Sequence, residues 1–180
     1  MPVVRRIVEG CAGAVEVESV LGEGTTFRVY LPVVLGEATP SGTVKSLLRI
    51  GTGQRVLCVD DEEGITRLQQ SLLSALGFEP RVLNDSRLAL EVLRTAPKTY
   101  DLAMFDVRMP GMNGVELARA AARFCPDLRI LLLTAEGTGT GEEEKLLEEG
   151  VISAILRKPA TGADLGLAVA EALGLDIPTS

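Results

Sequence analysis

The sequence contains no histidine and no tryptophan, and only 3% of its 180 residues are aromatic. Without histidine, the chain cannot itself supply imidazole as a general acid or base, a metal ligand or a phosphate donor. Hydrophobic residues make up 46% of the chain, so aliphatic side chains must build the core. A chain of this length can hold one ordinary domain and a small appendage.

Long apolar runs, a basic excess and paired cysteines are also missing. No apolar run approaches the ~20 residues that cross a bilayer, and no apolar stretch of a secretory signal follows the first arginines. The net charge of −7 gives no basic face for nucleic acid. The three cysteines are scattered and odd in number, which is typical of a reducing compartment. We therefore expect a cytoplasmic protein without nucleic-acid or membrane partners.

The first third of the chain differs from the rest. Within residues 1–34, a short helical start precedes two runs of alternating apolar and polar residues, AVEVESV and TTFRVYL, which predict a β-hairpin. A lone hairpin is marginal in water, so this piece should need a partner surface. Residues 35–53 are rich in Gly, Ser, Thr and Pro and are typical of a linker.

From Gln54 onward, short apolar runs alternate with amphipathic stretches. The predicted strands are RVLCV, PRVLN, YDLAMF, LRILLL and VISAIL. Strands without internal alternation, separated by helices, indicate a parallel sheet that is covered on both faces. Residues 54–175 are therefore predicted to form a five-stranded doubly wound α/β domain, followed by a tail at 176–180.

The helices of this domain have recognisable signals. The first helix should bury one apolar stripe, made of Ile65, Leu68, Leu72 and Leu76. Gly77 should end it. Asp85 or Ser86 should cap the second helix, and Asn113 should open a third whose apolar residues are Leu117, Ala121 and Phe124.

Reactive side chains follow the predicted strand ends. They are Asp60, Asp61, Asp106, Thr134 and Lys158. In a doubly wound sheet the ligand site lies beyond the carboxyl ends of the strands, so these groups should share one edge. Like charges about 4 Å apart repel by ~4 kcal/mol at moderate dielectric, so three carboxylates need a cation, with Mg²⁺ the first choice. Asp106 would then attack phosphorus while Thr134 and Lys158 hold phosphoryl oxygens.

Residues 54–175 resemble the receiver domain of two-component response regulators. The resemblance consists of the acidic pair Asp60-Asp61, Asp106 within DVRMPGMNG, Thr134-Ala135 and Lys158-Pro159, in that order. It implies a flavodoxin-like strand order of 2-1-3-4-5 and phosphorylation of Asp106 by the phosphohistidine of a histidine kinase or phosphotransfer protein.

The resemblance also implies how Mg²⁺ is bound. Asp61, Asp106 and the backbone carbonyl of Arg108 would be direct ligands, and Asp60 would act largely through water. The Lys158-Pro159 bond is expected to be cis, as is usual in this family.

Two positions depart from the family pattern. Ile155 stands where the family's switch uses an aromatic residue, so the output mechanism must differ. Three glycines in EGTGTGEEE, each costing roughly 1 kcal/mol in a helix interior, predict a short fourth helix. We hypothesise that phosphorylation orders residues 136–149, and that an Arg108–Glu136 ion pair shields the acyl phosphate.

Residues 1–34 carry a second resemblance, to the end of a histidine-kinase ATP-binding domain. GEGTTF is its most recognisable part, whereas the asparagine box, the glycine-rich ATP motif and a phosphodonor histidine are missing. The segment is therefore expected to be a remnant without kinase activity, as in the tail of a hybrid histidine kinase.

Other interpretations of the same residues exist. Asp106 or the Asp60-Asp61 pair could simply cap the helices that follow. The domain could be an interaction module that works without phosphorylation. A phosphatase with an aspartyl-phosphate intermediate is a third possibility, although Arg108 stands where that chemistry usually needs a second acid.

Overall fold

A computed structural model describes residues 14–20, 22, 24–30, 50–135 and 141–175. The chain divides into two compact units, Met1–Val44 and Lys45–Ser180, which are treated separately. Several predictions lie outside the described residues: the short helix before the hairpin, most of the linker, Glu136 with the first two glycines after it, and the tail at 176–180.

The first unit contains the predicted hairpin. Strands β1 (Ala14–Val20) and β2 (Gly24–Tyr30) pair in antiparallel orientation. Val17 lies opposite Phe27 and Val15 lies opposite Val29, so the apolar residues of both strands share one face. The alternating pattern therefore predicted the two strands, and their pairing places both apolar rows on one face.

The second unit is a parallel sheet with helices on both sides. Its strands are β3 (Arg55–Val59), β4 (Glu79–Leu83), β5 (Leu102–Asp106), β6 (Arg129–Ala135) and β7 (Ala154–Lys158). Its helices are α1 (Glu63–Ala75), α2 (Ser86–Thr95), α3 (Gly114–Ala122), α4 (Glu142–Glu148) and α5 (Gly162–Leu173). The strand order β4-β3-β5-β6-β7 is the expected order 2-1-3-4-5.

Two hydrophobic cores lie on opposite faces of this sheet. Leu57 and Phe105 contribute to the core beneath α2, α3 and α4, whereas Cys58 and Met104 contribute to the core beneath α1 and α5. Neighbouring residues of one strand point to opposite faces, so both must be apolar. Each fully buried large side chain contributes roughly 1.5–3 kcal/mol of hydrophobic stabilisation. This is why the strands are apolar throughout.

Local signals placed the helix ends correctly. Gly77 has a φ of 92° and follows α1, where a residue with a Cβ would be strained. The Asp85 side chain accepts hydrogen bonds from two backbone N–H groups of α2. Asn113 and Glu116 form a reciprocal capping box at the start of α3.

The predicted apolar stripe of α1 is only partly buried. The buried residues of this helix are Thr66, Gln69 and Leu73, and Leu68 is 56% exposed. Leu76 is buried as expected, whereas Ile65, Leu68 and Leu72 line a groove between α1 and α5. In α3, Leu117 and Ala121 are buried as expected, whereas Phe124 lies beyond the end of the helix at Ala122 and is 43% exposed.

Among the described residues, the longest helix is α1 with 13 residues, and no helix is long and apolar enough to span a bilayer.

Candidate functional site

The carboxyl ends of four neighbouring strands bring the expected residues to one edge of the sheet. Asp106 and Lys158 are the last residues of β5 and β7, and Asp60 follows β3 directly. Thr134 is the next-to-last residue of β6. Asp106 is in register with Leu133 of β6, so Thr134 lies one position further along the edge. The lengths and the register of the strands therefore bring these four side chains to the same edge.

Lys158 joins two buried carboxylates. Its Nζ lies 3.0 Å from Asp60 Oδ2 and 2.6 Å from Asp106 Oδ1. Asp60 is 2% exposed and Asp106 is 8% exposed. Burial by itself lowers the pKa of Lys158, but the hydrogen bonds and charges of Asp106 and Asp60 outweigh burial and raise this pKa. The ammonium therefore stays charged at neutral pH, beside two acidic side chains.

The Asp106 carboxylate is held at both oxygens. Oδ1 accepts from Lys158, while Oδ2 accepts a hydrogen bond of 2.7 Å from the backbone N–H of Arg108. The loop that supplies this N–H turns back at Gly111, whose φ is 81°, and Gly114 N–H donates to the carbonyl of Val107. The carboxylate plane is thus fixed by the backbone that follows it.

Thr134 contributes a buried hydroxyl at the same edge of the sheet. The residue is 2% exposed, and its Oγ1 has no hydrogen-bond partner in the described part of the chain. A buried polar group without a partner costs about 1–3 kcal/mol, so such groups are uncommon and need an explanation. A hydroxyl at this edge could donate to an anion held next to Lys158.

The third expected carboxylate does not join the other two. Asp61 is exposed and lines a neighbouring cavity of about 320 Å³. No group of three or more acidic or cysteine side chains in the described ranges could hold a metal ion. The expectation of one three-carboxylate cluster is therefore not met. The single ammonium of Lys158 offsets only part of the charge of Asp60 and Asp106. Within the described residues no ion pair joins Asp61 to a cation, so its carboxylate stays in solvent.

The capping interpretation of the acidic pair is not supported. Residue Glu62 occupies the N-cap position of α1, and no side chain caps that end. Asp60 Oδ1 accepts from the N–H of Glu62, outside the helix. Arg108 contributes its backbone N–H to Asp106, and its postulated partner Glu136 lies outside the described residues.

Two further residues at this edge were not predicted from the sequence. The Asn84 amide donates to the carbonyl of Asp60, and Gly114 packs directly beneath the backbone of Asp106. Asn84 could have been found, because it directly follows a predicted strand just as the acidic residues do. Gly114 gives no such signal, because only the close approach of two backbones requires it.

A five-stranded parallel sheet of this order, with two acids and a lysine joined at its carboxyl edge, defines the receiver class of signalling domains. The chain belongs to this family: the model of the response regulator receiver domain matches residues 56–170. Receivers are phosphoacceptor domains of two-component systems and not classical enzymes.

Known relatives include long sensor proteins. The chain is 35% identical over 126 residues to the sensor histidine kinase GacS of Pseudomonas protegens, covering 67% of this chain and 13% of the relative. It is 30% identical over 161 residues to the sensor protein EvgS of Escherichia coli, covering 88% of this chain and 13% of the relative. The chain thus spans about an eighth of either relative.

A solved structure agrees with the fold. The response regulator receiver protein from Burkholderia phymatum matches with a TM-score of 0.60 and 30% identity, and the match covers 70% of this chain and 99% of that protein.

Proposed function

We propose that Asp106 accepts a phosphoryl group from a partner phosphohistidine. The observation that carries this proposal is the Lys158 ammonium, which lies within hydrogen-bonding distance of both Asp60 and Asp106. Lys158 places positive charge where a phosphoryl oxygen would arrive next to Asp106. The unpaired hydroxyl of Thr134 gives a second donor at the same edge.

The chemical step is a displacement at phosphorus. A carboxylate oxygen of Asp106 forms the new O–P bond, and the N–P bond of the donor imidazole breaks. The imidazole nitrogen keeps the electron pair of that bond and takes a proton from solvent. The Arg108 N–H and Lys158 restrain the carboxylate so that it is oriented before the donor arrives. Two of the three ammonium protons of Lys158 are directed to carboxylates, which leaves one for the phosphoryl group.

The donor set at this edge fits a hard divalent ion. Carboxylate and carbonyl oxygens are the ligands that Mg²⁺ prefers, and the two buried acids already converge on a cationic group. We propose that Asp61, Asp106 and the carbonyl of Arg108 hold Mg²⁺, with Asp60 acting through water. The ion would neutralise charge that develops on the phosphoryl oxygens. The exposed position of Asp61 leaves its side chain free to turn toward such an ion.

The proposed partner is a histidine kinase or a histidine phosphotransfer protein, and the proposed location is the cytoplasm. Two relatives are named as a sensor histidine kinase and a sensor protein, which supports a place in a phosphorelay. We propose that the output is a change in protein–protein contact. Residue 155 is an isoleucine that lies half-buried against the core under α2, α3 and α4. Because it is not aromatic, the family's aromatic switch cannot operate there.

The N-terminal unit is proposed to be the remnant of a histidine-kinase ATP-binding domain. The antiparallel hairpin at 14–30 and the alignment with EvgS over 88% of this chain support this view. In this proposal residues 1–34 form the remnant, 35–53 the linker, 54–175 the receiver and 176–180 the tail.

Incubation with acetyl phosphate and Mg²⁺, followed by intact mass measurement, tests the phosphoacceptor. Wild type should gain one phosphoryl group, and Asp106→Asn should gain none. Asp127→Asn is the matched control, because Asp127 is exposed and lies before β6, at the opposite end of the sheet. The control should be modified like wild type.

The alternatives give different results in this experiment. An absence of any adduct on wild type would favour an interaction module that works without phosphorylation. Rapid turnover of a phosphomonoester without an adduct would favour a phosphatase. Either result would overturn the proposal.

A further inference from the structure

The loop that carries Asp60 and Asp61 is held by a residue outside it. Backbone pairing between β3 and β4 ends where the N–H of Asp60 donates to the carbonyl of Leu83 at 3.3 Å. The next residue, Asn84, links the same two chain segments through its side chain. Its Nδ2 donates a hydrogen bond of 2.7 Å to the carbonyl of Asp60, so a side-chain amide takes the place of the next backbone hydrogen bond, just beyond the strand.

The same amide also reaches the first turn of α1. Nδ2 of Asn84 donates a second hydrogen bond of 3.1 Å to Oγ1 of Thr66, a residue that is 0% exposed. Thr66 Oγ1 in turn donates to the carbonyl of Glu63. Asp60 and Thr66 are therefore both hydrogen-bonded to the side chain of Asn84. The acidic pair, Asp60 and Asp61, is the start of the segment between these two residues.

Every polar atom of Asp60 has a defined partner in this arrangement. Its N–H donates to Leu83, its carbonyl accepts from Asn84, Oδ1 accepts from the N–H of Glu62, and Oδ2 accepts from Lys158. If the bond from Asn84 is removed, the carbonyl of Asp60 loses the only side-chain donor that it has among the described residues. The peptide that joins Asp60 to Asp61 can then rotate, which changes where both carboxylates point.

We propose that Asn84 is a positioning residue of the phosphoryl-transfer site and sets its affinity for Mg²⁺. This inference rests on the proposed function. Asn84 acts through the Asp60 carbonyl and touches neither Asp106 nor Lys158 through any bond in the described residues, so it is not a catalytic residue. Residues that orient metal ligands commonly change metal affinity by 10–100-fold when they are removed.

The test compares Mg²⁺ binding by calorimetry in unphosphorylated protein with phosphorylation by acetyl phosphate at saturating Mg²⁺. In Asn84→Ala, the Kd for Mg²⁺ should rise about tenfold, whereas the rate at saturating Mg²⁺ should fall much less. Asn84 is exposed, so its truncation leaves no cavity in either core. Gln54→Ala is the matched control, because Gln54 donates from Nε2 to Thr52 Oγ1 at 3.1 Å, near the opposite end of β3.

Thr66 provides a second pair of variants. Thr66→Val keeps the volume but removes the acceptor for Asn84, and it should weaken Mg²⁺ binding. Thr66→Ser keeps the hydroxyl and should restore binding relative to Thr66→Val. A purely structural role predicts instead that Asn84→Ala and Gln54→Ala lower the urea midpoint alike while both keep the wild-type Kd. That result would overturn the inference. If wild type itself bound no Mg²⁺ and formed no adduct, that result would refute the proposed function and not only the role of Asn84.

Discussion

Replacement of Gly114 by alanine tests the claim that the backbone beneath Asp106 is closely packed. An ideal Cβ on Gly114 would lie 2.2 Å from the carbonyl oxygen of Asp106 and 3.0 Å from Cα of Val107. Ordinary van der Waals contacts of a Cβ begin at 3.4 Å. Because the nearest atom belongs to the backbone, a rotamer change cannot relieve the clash, and the loop or the start of α3 must move by roughly 1 Å.

The magnitude follows from two opposing terms. Overpacking of a tight interior costs about 1–3 kcal/mol. Alanine is the better helix former by up to about 1 kcal/mol, although the first helical position gains less. We therefore expect Gly114→Ala to lower the free energy of unfolding by about 1–2 kcal/mol. A shift of ~1 Å in Asp106 would also disturb its bonds to Lys158 and Arg108, and such a displacement can slow a reaction by about a hundredfold.

Urea unfolding followed by far-ultraviolet circular dichroism measures the stability term, because the chain has no tryptophan to report by fluorescence. Phosphorylation by acetyl phosphate measures the second term. Gly64→Ala is the matched control: Gly64 lies within α1 and has no atom within 4 Å of its ideal Cβ. It should gain up to about 1 kcal/mol and keep the wild-type rate. Wild-type stability and rate in Gly114→Ala would refute the reasoning.

Two further predictions concern the groups around Asp106. Lys158→Met leaves Asp60 and Asp106 without their shared cation, and should lower the free energy of unfolding by about 1–2 kcal/mol near neutral pH. Because the pKa of Lys158 is raised above its usual 10.5, its contribution is fully present below that value and is lost as the pH rises through the folded-state pKa. The urea midpoints of wild type and variant should therefore differ by a constant amount below pH 10.5 and converge only as the pH rises beyond that value through the folded-state pKa; convergence at lower pH would contradict the assignment. Thr134→Val removes a buried hydroxyl that has no partner among the described residues, so the free energy of unfolding should rise by about 1 kcal/mol while phosphorylation slows. Loss of stability in this variant would mean that the hydroxyl has a structural partner.

Local signals in the sequence were sufficient for much of the fold. The Asn113–Glu116 capping box, the Asp85 cap and the stop at Gly77 all depend on atoms within a few residues of one another. The apolar strands were also predictable, because uninterrupted apolar runs separated by helices indicate a parallel sheet covered on both faces. Their order in the sheet was expected from the family resemblance and is present. The cis Lys158-Pro159 bond was expected from the family resemblance and is present.

The errors arose where distant elements decide the outcome. The row of Ile65, Leu68 and Leu72 has helical spacing, yet α1 turns Thr66 and Gln69 inward. The periodicity of α1 cannot specify which face is covered, because that depends on the groove that α5 forms beside it. The positions of polar side chains are similarly sensitive to their partners, as the separation of Asp61 from the other acids demonstrates.

The amino-acid sequence by itself determined the elements of this protein and the carboxyl edge at which its acids and its lysine would gather. The tertiary structure alone decided that Lys158 bonds to Asp60 and Asp106, that Asp61 stays apart, and that Asn84 and Gly114 support the loops around them. The physical reason is the distance along the chain between the residues that interact. Helix caps and strand patterns involve near neighbours in the chain, whereas a bond between residues 60 and 158 depends on the register of strands that only the folded sheet sets.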